Sequence, residues 1–161
     1  MKQILLYISL SLFLIPCSCT HKKNQDHKTS LVYENESHFR NMKQLTFSGD
    51  NAEAYFSFND EKLVFQSNNK DWNVDCDQIF ITDTNNYSMM TDMPKKISTG
   101  LGRTTCSYFM PGDSTIIYAS THLENASCPH VPDRRVDGKY VWPIYDSYDI
   151  FVSDLEGNII D

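Results

Sequence analysis

From Gln44 to Ser67 the chain reads QLTFSGDNAEAYFSFNDEKLVFQS, an alternation of apolar and polar positions broken at intervals by turn-forming residues. Alternation with period two marks strands that bury one face. Beyond the N-terminal segment no window of twelve residues sustains a 3.6-residue apolar stripe, so the rest of the chain is predicted to be nearly all β. The pattern predicts strands over Ala54–Phe58, Lys62–Gln66, Gln78–Asp83, Thr105–Met110, Thr115–Ser120 and Tyr148–Asp154. Asn59-Asp60-Glu61 and Pro111-Gly112-Asp113 separate the strands of two tight hairpins, because these residue types adopt turn dihedrals at little cost.

The same pattern recurs. Gln44-Leu45-Thr46 matches Lys96-Ile97-Ser98, and Ala54–Ser67 matches Cys106–Ser120 with one residue added near the turn. Asp77–Asp83 then matches Tyr148–Asp154. Three matched segments in one order, spaced by about 52 residues, form an internal repeat of the kind that builds blades or solenoid units. The second copy carries an insertion, Thr121–Ser147, where the first has the shorter Asn68–Cys76. Such insertions occupy loops on one face of a repeat protein, often the binding face.

Met1–Cys19 is different in kind: one positive charge at Lys2, an apolar run from Ile4 to Ile15, then small residues. That order is a secretory signal, and the run is too short to span a bilayer comfortably. Cys19, preceded by Ser18, is the candidate lipidated cysteine of a bacterial lipoprotein signal; ordinary cleavage or an uncleaved anchor are the alternatives. Residues 20–42 read as a polar tether, which leaves 43–161 as the folded part. The expected location is the bacterial periplasm or an outer-membrane attachment through the lipid.

Export changes the reading of the cysteines. Cys76, Cys106 and Cys128 remain after the signal, in a compartment where disulfides persist, and an odd count allows at most one intramolecular bridge. The chain carries 14 Lys and Arg against 21 Asp and Glu, a net charge of −7. With no basic stripe to neutralise phosphates, nucleic acid is excluded as a partner.

The repeated unit resembles the blade of TolB-like β-propellers: an LT-x-G element, an aromatic strand ending in a polar turn, an apolar strand ending in Ser, and an Ile-aromatic-apolar-x-Asp strand. The first copy has Leu45-Thr46-Phe47-Ser48-Gly49, Phe56 to Lys62, Leu63 to Ser67 and Ile79-Phe80-Ile81-Thr82-Asp83. The second has Ile97-Ser98-Thr99-Gly100, Tyr108 to Asp113, Ile116 to Ser120 and Ile150-Phe151-Val152-Ser153-Asp154. The resemblance implies about two four-stranded blades, one over 43–95 and one over 96–161, as part of an incomplete propeller. A closed propeller has typically four to eight blades, so this reading makes the chain a segment of a larger ring or a unit that closes with other copies.

Several constellations could carry chemistry. Arg134, Arg135, Tyr140, Trp142 and Tyr145 form an aromatic and basic cluster suited to recognition, since such residues dominate interface hot spots; packing of the insertion over the blade is the alternative. Asn51, Glu53, Arg103 and Thr105 precede the first strand of each unit, which in a propeller lines the central channel. His122, Cys128 and His130, with Asp133 or Asp137 as a fourth donor, are a weak zinc candidate, set against a structured loop pinned by a Cys106–Cys128 disulfide. Asp71–Asp77 places oxygens at alternate positions as calcium loops do, but Cys76 stands where the turn glycine is required. No Gly-x-Ser-x-Gly elbow or His-Glu-x-x-His motif is present. The expectation is a non-catalytic envelope module without a cofactor that binds a protein or peptide. The alternatives are the N-terminal propeller of an envelope peptidase or other hydrolase, and a small metal-binding envelope protein.

Overall fold

The computed structural model describes residues 31–85, 93–133, 135–140 and 142–161. The signal segment with Cys19 and the first part of the tether lie outside the described residues. The described residues up to Arg40 belong to one unit, in which Glu36 N–H donates to the Tyr33 carbonyl at 3.0 Å; Asn41–Asp161 is the other. Among the described residues no helix is long and apolar enough to cross a membrane.

The second unit is all-β. In chain order its strands are β1 (Asp50–Phe56), β2 (Lys62–Asn68), β3 (Gln78–Asp83), β4 (Lys95–Lys96), β5 (Thr104–Phe109), β6 (Thr115–Ser120), β7 (Arg135–Val136), β8 (Lys139–Tyr140) and β9 (Asp149–Asp154). They form an antiparallel sheet in the order β1-β2-β3-β4, a second in the order β5-β6-β9, and a β7-β8 ribbon. One 3-10 turn, Lys70–Trp72, follows β2, where the Asn69 side chain accepts from Asp71 N–H at 3.0 Å. β3 and β6 have the bounds that the alternation predicts. β1 ends before Phe58 because Ser57 already turns: its N–H donates to Lys62 O at 2.9 Å, and its carbonyl accepts from Asp60 N–H at 3.0 Å.

The repeat is written in the hydrogen-bond register. Val64 pairs Ile81 and Phe65 pairs Phe80, while Ile117 pairs Val152 and Tyr118 pairs Phe151. Phe56–Leu63 and Phe109–Ile116 are likewise equivalent. The β1–β2 pairs from Asn51–Ser67 to Phe56–Leu63 therefore map onto β5–β6 at an offset of 53 residues. This corrects the alignment read from sequence, in which one residue was added near the second hairpin turn. The extra residue lies earlier, between Ile97 and Gly102, as against Leu45 to Gly49.

Gly49 and Gly102 are themselves equivalent, with φ of 72° and 59°. A Cβ on Gly49 would stand 2.6 Å from the Asn68 carbonyl oxygen, and one on Gly102 2.7 Å from the His122 nitrogen. Only glycine allows the chain to pass this close to the neighbouring backbone. At the other end of the unit, Ile159 bridges Ser153, and Ile160 N–H donates to Val152 O at 2.8 Å. The last residues thus run along the edge of β9 that corresponds to the β3 edge occupied by β4.

The two large sheets share a core. Val64, Ile79 and Ile81 from the first meet Phe109, Ile116, Tyr118 and Phe151 from the second, and Ile97, whose N–H donates to Ile79 O at 2.9 Å, joins the same cluster. Each such side chain, fully buried, contributes on the order of 1.5–3 kcal/mol. The opposite face of the first sheet buries Phe65 and Phe80, stacked at 6.0 Å, under Val74, Leu45 and Trp72. Leu63 and Phe65 are accordingly buried within this chain, whereas Phe56 and Phe58 are 56% and 61% exposed.

Cys128 is bonded to Cys76, with Cα atoms 5.9 Å apart and a sequence separation of 52. Cys128 therefore does not pair with Cys106, the bridge the sequence offers as one possibility. Cys106 sits on β5 as a free, exposed thiol, while Cys76 lies in the loop before β3, against which the inserted loop carrying Cys128 is tied.

Candidate functional site

The segment before β1, the starts of β1 and β5, and residues 142–148 enclose a cleft of about 850 Å³. Its floor is an ion pair. Arg103 Nη1 donates to Asp77 Oδ2, and the two side chains are only 8% and 17% exposed. Backbone pairing sets both residues. Arg103 exchanges hydrogen bonds with Thr121, its N–H to Thr121 Oγ1 and its carbonyl from Thr121 N–H, each 3.0 Å. The Asp77 carbonyl accepts from Thr104 N–H at 2.9 Å and Thr104 Oγ1 at 3.0 Å. The buried Arg103 Nε has no hydrogen-bond partner among the described residues.

Two bulges shape the rim. In β1 the register shifts between Ala52 and Tyr55, in β5 between Thr105 and Tyr108. Glu53 and Cys106 occupy these bulges with left-handed backbones, φ 51° and 49°. Gln66 Oε1 fixes the second bulge by accepting from Cys106 N–H at 2.9 Å and Thr105 Oγ1 at 3.0 Å. Glu53 accepts from the Tyr55 hydroxyl at 2.8 Å, which raises the pKa of that phenol. The Cys106 thiol has the Thr105 hydroxyl at 3.3 Å, a neighbour unable to act as a general base.

The remaining wall is aromatic. Tyr145 donates to the His130 carbonyl at 2.9 Å and its ring lies 5.9 Å from that of Tyr148. Burial pushes the Tyr148 hydroxyl up to about 12; Arg103 opposes that shift and Asp77 adds to it. Trp142 is 76% exposed at the rim.

Candidates read separately from the sequence thus meet at one cleft: Asn51, Glu53, Arg103 and Thr105 from the strand starts, Trp142 and Tyr145 from the insertion. Arg134 lies outside the described residues, and Arg135 pairs with Tyr140 through the backbone of the β7-β8 ribbon. Sequence reading missed Asp77, Cys106 and Tyr148 as cleft residues. Asp77 and Tyr148 stand at equivalent places just before β3 and β9, a signal that the repeat alignment already contained.

The zinc constellation does not assemble. Cys128 is committed to its disulfide, and His122 Nδ1 lies 2.8 Å from Ser120 Oγ with its ring 4.3 Å from Phe151. Burial lowers the His122 pKa, with Asp149 partly opposing. Among the described residues no three His, Cys, Asp or Glu side chains are grouped to hold a metal ion. The calcium-like run is spent on structure: Cys76 in the bridge, Asp77 against Arg103, and Trp72 against Phe80 with ring centroids 5.1 Å apart.

Comparison with protein-family models, curated proteins and solved structures gave no match to this chain.

Proposed function

We propose that the chain is a non-catalytic cell-envelope module of the TolB-like β-propeller type, exported and lipid-anchored through Cys19, that binds a protein or peptide partner in the cleft above Arg103. The observation that carries the reading is the meeting of the strand-start residues and the insertion's aromatics around one cavity of about 850 Å³. A polar floor that fixes orientation, walled by exposed aromatic rings, is what small recognition sites are built from. The blade reading is supported by two units with one strand register, stacked through a shared core. The envelope location rests on the signal segment Met1–Cys19.

Cys106, free and exposed at the cleft, allows a direct test. A benzophenone maleimide placed on Cys106 of the chain from Thr20 onward is irradiated in envelope extract. A discrete cross-linked partner, lost in Trp142→Ala, is the expected result. No adduct, or one indifferent to that substitution, overturns the reading.

A further inference from the structure

We infer that the cleft selects a basic peptide, holding a lysine or arginine side chain of the partner at its rim; this rests on the cleft being the peptide site. Three carboxylates line it, Asp50, Glu53 and Asp77, against the guanidinium of Arg103. Arg103 and Asp77 are paired with each other at the floor. The charge left facing a ligand is that of Asp50 and Glu53, both on exposed positions of β1. A net charge of −7 on the whole chain adds a field of the same sign.

The uncharged parts of the cleft agree with that sign. Phe47 and Trp142, 57% and 76% exposed, are aromatic rings at the rim. An ammonium or guanidinium over such a ring gains roughly 0.5–1 kcal/mol at an exposed site. A carboxylate there would meet like charge, and the guanidinium that could answer it is buried and already bonded. The floor adds a second requirement. Asp77 lines the cleft with its side chain 17% exposed beside the Arg103 pair. A main-chain N–H of the ligand donates to that carboxylate and leaves the pair intact. A peptide brings both groups, a basic side chain for the rim and amide N–H donors for the floor.

The probes are blocked peptides, a single lysine, arginine, glutamine or glutamate flanked by glycines. They are titrated against the chain from Thr20 onward carrying Trp72→Phe, so that Trp142 is the fluorophore. The lysine and arginine peptides are expected to bind about tenfold tighter than the glutamine peptide at about 0.05 M salt, a preference that shrinks at about 0.5 M. Asp50→Asn with Glu53→Gln is expected to bring the lysine peptide down to the glutamine level while the circular dichroism spectrum is unchanged. Equal binding of the glutamine or glutamate peptide overturns the charge selection and leaves a peptide site standing. Failure of every peptide while Cys106 still cross-links a partner also overturns it. Failure of both experiments overturns the cleft as a binding site.

Discussion

Glu53 and Cys106 stand 53 residues apart in the chain and at the same place in its fold, each a left-handed residue inside the bulge of the first strand of its sheet. Neither is a residue type that favours that conformation, which costs an L side chain roughly 1–2 kcal/mol. Both bulges survive because the strands on either side are fixed: Phe56 pairs Leu63, Phe109 pairs Ile116, and Gln66 holds the Cys106 amide. Both bulges line the cleft.

Cys106→Gly removes that strain at an exposed position, and the gain exceeds the chain entropy that glycine adds. The melting temperature is expected to hold or to rise by a few degrees, for a net gain of up to about 1 kcal/mol. Cys106→Val, β-branched at a positive φ, is expected to lower it by an amount corresponding to about 1–2 kcal/mol. Thermal unfolding followed by circular dichroism checks both. Equal melting of the two variants would show that residue 106 is not left-handed in solution.

The Cys76–Cys128 bridge closes a loop of 52 residues and joins the turn before β3 to the inserted loop. On the chain-entropy account a loop of that length is worth about 4 kcal/mol. Paired Cys76→Ser and Cys128→Ser substitution is expected to shift the urea midpoint down accordingly, whereas Cys106→Ser leaves it nearly in place. Peptide mapping without reductant is expected to give a linked peptide containing Cys76 and Cys128 and a maleimide-labelled one containing Cys106.

The strands were legible because period-two alternation and turn residues act locally; Gln78–Asp83 and Thr115–Ser120 needed nothing else. The bulges were not, since glutamate and cysteine carry no sign of a left-handed backbone. That is why the extra residue of the second unit was placed near Pro111 and not ahead of Gly102. The disulfide was open for a different reason: three cysteines allow three pairings, and proximity of Cys76 to Cys128 arises only when two loops pack. The cleft was half legible. Asn51, Glu53, Arg103 and Thr105 follow from the repeat, but the Asp77–Arg103 contact depends on one sheet lying against the other.

Two partly buried titrating groups set opposite edges of a pH window. His122 has its pKa lowered by burial from the ordinary 6.5, so the stability it contributes is present above 6.5 and is lost as pH falls through the folded value. Tyr148 is raised from 10.0 to about 12, so its contribution is present below 10 and is lost as pH rises toward 12. In an alkaline titration followed by tyrosinate absorbance, Tyr148→Phe is expected to remove the phase near 12. The His122 ring signal in proton NMR is expected to titrate below 6.5, and lower still in Asp149→Asn, since Asp149 holds the value up.

Gly102→Ala is expected to cost well over 2 kcal/mol. The added methyl would lie 2.7 Å from the His122 nitrogen and 2.8 Å from Thr121 Oγ1, on a backbone at φ 59°. Two penalties act together, the left-handed backbone and overpacking against the chain that leaves β6. Gly112→Ala is the control, because no atom lies within 4 Å of its added carbon although its φ is 93°. A denaturant midpoint lower in Gly102→Ala than in Gly112→Ala separates the packing effect from the backbone one.

The Arg103–Asp77 pair allows the floor of the cleft to be weighed against its rim. Both side chains are largely buried, so removing one partner leaves the other charged without water. Arg103→Met or Asp77→Asn alone is expected to destabilise by about 3 kcal/mol, near the lower end for a broken buried pair. The double variant has no orphaned charge and is expected to recover most of that loss, giving a coupling energy of 1 kcal/mol or more by urea unfolding, a threshold of about the size typical for contacting residues. Additive losses would mean that water reaches the pair. Cross-linking from Cys106 then tells what the pair does for binding: if it orients the ligand's main chain, the stable double variant captures less partner although Asp50, Glu53 and Trp142 are intact. If it serves only to hold β5 against the loop before β3, capture is unchanged.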